Sequence, residues 1–269
     1  MKSEAINNIV KTSINNNGIF RILLNNPKNH NVLSEEMMNN LQKTLDGLVS
    51  NDKARVIIIS AVGTTFSAGH DLKELKKGVQ NNDKGKNYYK EMMSKCSKLM
   101  QSIVNNPKPV IAEVSGVATA AGCQLVASCD LAYVGESAKF ATPGVNIGLF
   151  CSTPMVALSR TVSNKRSMEM LLTGDLISAK KAVEIGLVNE VVKDDSLNNF
   201  VLDKALKISK KSSLTLKIGK EAFYKQIDMT LSKAYDYASE VMVNNMLKLD
   251  AEEGIDAFIN KRQPKWKDK

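Results

Sequence analysis

The spacing of apolar positions changes along the chain and divides it into two kinds of structure. Two β-rich stretches between Ile6 and Leu24 flank Asn15-Asn16-Asn17-Gly18, which predicts a hairpin. Ser34 then stands as an N-cap with Glu35 and Glu36 in the first turn, and Met37, Met38, Leu41, Leu45 and Leu48 form one helical face. Val56-Ile57-Ile58-Ile59 is a short β-branched run bounded by polar residues, the pattern of a strand buried on both faces. Phe66 to Leu72 reads as a loop opening a helix, followed by a lysine-rich linker from Lys76 to Lys86. The next helix carries Met92, Met93, Cys96, Leu99, Met100 and Ile103 on its apolar side. Pro109 to Val114 and Leu131 to Val134 read as strands, with a small-residue turn and a helix from Gln124 to Cys129 between them.

Beyond Thr153 the strand pattern gives way. Met155 to Val162, Lys165 to Leu172, Ala179 to Ile185, Leu197 to Ser209, Leu214 to Gln226 and Leu231 to Leu249 all read as helices. Ser178 and Ser196 are placed as N-caps and Gly186 as a C-cap. The expected fold class is therefore α/β, with a helical C-terminal part.

Composition narrows the classes. The 269 residues suit one large domain, or a core with a helical extension, and 43% hydrophobic content excludes a disordered chain. No apolar run reaches membrane-spanning length, so no membrane partner is expected. Met1 to Ile6 contains Glu4 and lacks an apolar core, which is the pattern of neither a signal nor a transit peptide, and a cytoplasmic location is expected. The four cysteines, Cys96, Cys123, Cys129 and Cys151, show no CxxC spacing, and His30 and His70 are the only histidines. Reduced, buried thiols and no metal site are the expectation. A formal net charge of +9, from 37 basic and 28 acidic residues, favours an acidic partner such as a phosphorylated ligand. The excess is densest in the tail, from Lys261-Arg262 to Lys269, and most of it reads as ordinary solubility charge.

The candidate chemistry lies in Gly116-Val117-Ala118-Thr119-Ala120-Ala121-Gly122-Cys123-Gln124. Strand, small-residue turn and helix together aim free backbone N–H groups at an anion, and small side chains let a ligand approach that backbone closely.

These residues, with Asn26-Pro27-Lys28, Asn31-Val32-Leu33, Phe66 to Lys73, Lys108 to Ala112, Ser128-Cys129-Asp130, Phe140 to Gly148, Leu171 to Gly174, Ala182 to Val191 and Glu253-Gly254, resemble the crotonase, or enoyl-CoA hydratase/isomerase, superfamily. Each segment alone is unspecific, but the ordered set covers nearly the whole chain. The resemblance implies a crotonase-like spiral of ββα units over residues 1–200 and a helical trimerisation region over residues 201–269. It implies a homotrimer or hexamer and an acyl-CoA thioester as ligand, with coenzyme A part of the substrate rather than a separate cofactor. Backbone N–H groups of His70 and Ala121 would form an oxyanion hole, with Gly69 and Gly122 beside them. Lys28, Asn29, Ala68, Asp71, Leu72 and Lys73 would complete the substrate-binding set.

Hydratases of that superfamily use two glutamates for proton transfer. The matching positions here hold Gln124 and Gly144. An amide has no useful basicity near neutral pH, and glycine has no side chain, so ordinary hydration loses its acid–base pair. Candidate substitutes are Asp71, which also suits a helix cap, His70, which could titrate near neutrality, and Glu113 in an apolar strand. Cys151 and Ser152 read as packing and capping residues, and Cys123 as a small core residue. Glu35-Glu36, Asp194-Asp195 and Glu252-Glu253 are adjacent pairs that do not face each other on a helix. Three functions follow: an acyl-CoA lyase or isomerase with an altered site, a non-catalytic acyl-CoA-binding protein, or an RNA-binding relative. The last needs a lysine-rich helix, and the helix from Ser34 to Leu48 carries only Lys43, so no nucleic-acid partner is expected.

Overall fold

The hairpin forms as its sequence predicts: Val10–Ile14 (β1) pairs antiparallel with Ile19–Leu24 (β2), Ile14 opposite Phe20. The side-chain oxygen of Asn15 accepts from the N–H groups of Asn17 and Ile19 and so fixes the turn. The computed structural model describes residues 8–80 and 82–269. Met1 to Ile6, including the start of the expected hairpin, and Asn81 in the expected linker lie outside the described residues. Ser34 caps Glu35–Val49 (α1) by accepting from the Met37 N–H, and all five predicted apolar residues of that helix are buried. Val56–Ala61 (β3) buries Val56 to Ile59 completely, as expected of a central strand.

The chain then repeats one unit. Thr65–Ser67 (β4) leads to Leu72–Gly78 (α2) and Lys86–Val104 (α3). Val110–Val114 (β5) and Val117–Thr119 (β6) lead to Ala121–Ser128 (α4). Leu131–Gly135 (β7) and Lys139–Ala141 (β8) lead to Pro154–Thr161 (α5). Then follow Asn164–Thr173 (α6), Ile177–Ser178 (β9), Ala179–Glu184 (α7) and Glu190–Val192 (β10). One strand of each pair joins a six-stranded sheet of order β1-β2-β3-β5-β7-β10; the other joins a four-stranded sheet of order β4-β6-β8-β9. From β2 to β10 the larger sheet is parallel. This is the expected spiral of ββα turns, and it stacks β4, β6 and β8 so that the loops after them share one edge. The main core fills one side of the larger sheet with residues of α1, α3 and α4.

The last helices are Leu197–Ser209 (α8), Ser213–Gln226 (α9), Leu231–Met246 (α10) and Leu249–Ile259 (α11). Leu197, Val201 and Ala205 of α8 pack on the other face of the sheet, against Ile19, Val56, Ile58, Ile111 and Tyr133, so α8 crosses the expected junction at residue 200. A buried polar cluster ties α9 to the core. Lys220 Nζ reaches Asp130 at 2.7 Å and donates to the carbonyls of Ile103 and Lys108, while the Tyr224 hydroxyl donates to Asp130.

Several expectations are corrected. The linker expected from Lys76 is helical as far as Gly78, because Asp71 caps α2 and Lys76 and Lys77 suit its negative C-terminal end. The helix expected at Gln124 begins at Ala121. The single helix over Leu231 to Leu249 is broken where Lys248 turns extended. Ser196 makes no side-chain cap, because a short 3-10 turn precedes α8 and leaves it at φ −95°.

Candidate functional site

Two loops meet at the shared edge of the smaller sheet. The first follows β4 and runs Ala68-Gly69-His70-Asp71. Its Gly69 carbonyl accepts from the Leu33 N–H at 2.7 Å, and the Ala68 N–H donates to the His30 carbonyl at 3.1 Å. The second follows β6 and turns at Ala120 into α4, with the Ala120 N–H donating to the Ala141 carbonyl at 2.9 Å. The loops touch at Gly69: a Cβ there would lie 2.9 Å from Ala120 Cβ and 3.0 Å from the Ala121 nitrogen. Gly69 sits at φ +86°, so glycine serves both the turn and the approach. Gly122 is held by space alone, since a Cβ there would fall 2.1 Å from the Ser67 carbonyl oxygen.

Ala120 carries the strain. It sits at φ 51°, ψ −121°, a region L residues avoid, and it turns the chain so that Ala121 opens α4. The first N–H groups of a helix have no partner within it. Among the described residues, neither the Ala121 nor the His70 N–H finds an acceptor. Two such donors side by side can hold an oxygen on which negative charge develops. The structure therefore brings together His70 and Ala121 through Gly69 and Gly122.

Lys28 and Asn29 lie on the exposed 3-10 turn Pro27–Asn29, beside the first loop. Asn31, which the sequence reading gave no role, makes that placement. Fully buried, it donates from Nδ2 to the Val62 and Thr65 carbonyls and accepts from the Asn26 N–H, bracing the turn to the β3–β4 connection. Leu72 and Lys73 are exposed at the start of α2. Lys28, Asn29, Leu72 and Lys73 thus flank the loop at Ala68.

The missing carboxylates have specific replacements. Gln124 lies one turn into α4, almost fully buried, and its amide oxygen faces the Cys96 thiol at 3.8 Å. The Gly144 N–H donates to the Cys151 sulfur at 3.3 Å. A Cβ at 144 would meet that sulfur at 2.9 Å and the Leu149 carbonyl oxygen at 2.6 Å. The room of a glutamate is therefore occupied. Sequence reasoning missed this contact, because the segment that fills the space lies seven residues on.

The other candidate bases sort cleanly. Glu113 makes a bidentate pair with Arg21, at 2.9 and 3.0 Å, in the larger sheet. Asp71 caps α2, accepting from the Lys73 N–H at 2.8 Å. Burial pushes the thiols of Cys96 and Cys123 up to about 12 and raises that of Cys151, so all three are protonated near neutral pH. Ser152 donates to the Phe150 carbonyl. His70 differs. Both ring nitrogens are buried without a hydrogen-bond partner among the described residues. Burial lowers its pKa from the usual 6.5, and the Leu33 carbonyl, outside hydrogen-bond geometry, offsets that only in part. The Thr142 hydroxyl, just before Pro143-Gly144, is likewise buried and unpartnered.

Comparison with known proteins identifies the family and the fold. The Enoyl-CoA hydratase/isomerase family model matches residues 14–269. The chain is 50% identical to enoyl-CoA hydratase domain-containing protein 3, mitochondrial, of Xenopus laevis, over 93% of this chain and 83% of that protein. It is 48% identical to the protein of the same name from Homo sapiens, over 93% and 80%. The crystal structure of that human protein superposes with a TM-score of 0.91 at 46% identity, covering 96% of this chain and 100% of the other. An enoyl-CoA hydratase from Mycobacterium smegmatis gives a TM-score of 0.91 at 41% identity, covering 96% and 98%. The expected cytoplasmic location is overturned, because these vertebrate relatives are named mitochondrial. The composition of Met1 to Ile6 was too thin a basis for it.

Proposed function

Because the chain belongs to the enoyl-CoA hydratase/isomerase family, we propose that it binds acyl-CoA thioesters, with the thioester oxygen held between the His70 and Ala121 N–H groups. The observation that carries this reading is the abutment of Gly69 on Ala121, with a donor free on each side. Preorganised donors of this kind stabilise an enolate-like charge by about 3–4 kcal/mol each. Coenzyme A enters as part of the substrate. Lys28 and Lys73 suit its phosphates, and Asn29, Ala68, Asp71 and Leu72 line the approach.

The chemistry is that of a thioester enolate and not of water addition. Hydration needs an acceptor for a proton of water and a donor to carbon, each with a pKa near working pH. Gln124 and Gly144 supply neither, and no thiol nearby replaces them. The reading is therefore an acyl-CoA enzyme of the lyase or isomerase type with an altered site. A non-catalytic acyl-CoA-binding protein is the second reading, favoured by the Cys151 sulfur filling the carboxylate position at Gly144. The net charge of +9 also suits RNA, though α1 has Lys43 as its sole cation.

The assembly that fits is a homotrimer or a hexamer built through residues 201–269. Leu231 and Leu247 are 77% and 79% exposed, with Tyr235, Met242, Val243 and Met246 also uncovered on α10. Such a contiguous apolar surface calls for a partner. Titration of butyryl-CoA and of a mixed RNA, each at two salt concentrations, tests the reading. Micromolar thioester binding with little RNA affinity supports it, and the reverse order removes it.

A further inference from the structure

We propose that the His70 imidazole is the proton acceptor for the carbon next to the thioester carbonyl, so that the protein exchanges the α-hydrogens of a bound acyl-CoA with solvent. This rests on the reading that the hole takes a thioester. Three of the buried side-chain atoms left without a partner among the described residues, His70 Nδ1, His70 Nε2 and Thr142 Oγ1, belong to the loops around that hole. Buried polar groups are nearly always paired, so unpaired ones gathered at one site point to a ligand or to proton transfer there.

Elimination leads to the same residue. Glu113 is committed to Arg21, Asp71 to the cap of α2, and Gln124 and Gly144 are not bases. His70 also contributes a hole donor through its own backbone, so the unpartnered ring belongs to the same residue as one of the two N–H groups. The Leu33 carbonyl favours the protonated ring, and so supports the imidazolium that proton transfer would create. Burial of the ring disfavours its charged form, so it rests neutral.

The step balances without a co-reactant. The Cα–H bond breaks, and the proton passes to the free ring nitrogen. The electron pair moves toward the carbonyl, giving an enolate whose oxygen is held by the His70 and Ala121 N–H groups. Solvent exchanges the proton on the imidazolium, and return of a proton to Cα restores the thioester. In deuterium oxide the product is the same acyl-CoA labelled at Cα.

The test is proton NMR of butyryl-CoA in deuterium oxide, with butyryl-CoA affinity measured on the same samples. The parent should lose the α-proton signal faster than buffer alone, with the rate falling at acid pH around a midpoint below 6.5. His70→Gln and His70→Ala should each slow exchange by about 100-fold or more while keeping the parent affinity. A purely structural role would instead lower affinity and exchange together. Parent-level exchange in a folded His70→Gln protein overturns the proposal. Binding of butyryl-CoA by the parent without exchange also overturns it and leaves the thioester site standing. Absence of binding removes both.

Discussion

The Gly144 N–H donates to the Cys151 sulfur at 3.3 Å, and a side chain at 144 would start 2.9 Å from the same atom. The position of one expected glutamate is thus filled by a thiol from later in the same β8–α5 connection. A glutamate at 144 would have to displace this sulfur. Reversion by mutation then carries a structural cost.

Gly144→Glu should be destabilising by about 1–3 kcal/mol, since the Leu149 carbonyl and the Cys151 sulfur must both move. The double change with Gln124→Glu should therefore melt below the parent and leave crotonyl-CoA unhydrated. Thermal melts and an absorbance assay of the enoyl thioester check both halves. Hydration by a double variant as stable as the parent would show that the loop yields easily.

Ala120 holds a strained backbone at the mouth of the hole. Ala120→Gly should relieve strain of about 1–3 kcal/mol and lose part of that gain to chain entropy. The net expectation is a small rise in melting temperature. A fall would mean that the Ala120 methyl, beside Gly69, contributes more by packing than its backbone costs.

The hole itself is tested through its donors. Gly69→Ala places a methyl carbon 3.0 Å from the Ala121 nitrogen and strains φ +86°, so acyl-CoA binding should be lost. Ala121→Pro removes one donor at the first position of α4, where proline leaves the remaining helix bonds intact. Any thioester activity should fall by about 10²–10³-fold. Calorimetric titration of each folded variant with butyryl-CoA gives the answer, and parent affinity in both would remove the assignment.

Much of the fold was legible in the sequence because its signals are local. The Asn15–Gly18 turn, the Ser34 cap, the β-branched run at Val56 and the apolar stripe of α3 each need only neighbouring residues to be read. The smaller sheet was not foreseen, because β4, β6 and β8 have three residues each, too few to show a period of two. At the site, the small-residue turn pointed to Ala121, and the family resemblance pointed to His70. The Asn31 brace, the left-handed Ala120 and the Cys151 plug depend on contacts between segments distant in sequence, and no periodicity encodes them.

The Lys220–Asp130–Tyr224 cluster should hold α9 in place. Lys220→Met leaves the Asp130 carboxylate buried with its cation removed, at a cost of about 3 kcal/mol. Chemical denaturation measures that loss. A change below 1 kcal/mol would show that Tyr224 and the Val110 N–H, which also bond Asp130, are sufficient.

Protonation of His70 gives a pH signature of stability. Its folded-state pKa lies below the usual 6.5, so the folded protein resists a proton that the unfolded chain accepts. No penalty exists above 6.5; stability drops as pH falls from there toward the folded pKa. His70→Gln should flatten this part of the profile in urea melts between pH 7 and pH 5. An unchanged profile would place the acid sensitivity elsewhere.

The central claim is a thioester hole that polarises its ligand without hydrating it. Carbon-13 NMR of crotonyl-CoA labelled at the thioester carbonyl and across the double bond tests this in one sample. The account predicts that the carbonyl resonance moves downfield on binding, as two N–H groups draw charge to its oxygen, while the alkene resonances persist. An unshifted carbonyl, or conversion of the alkene to the hydroxyacyl product, would contradict it.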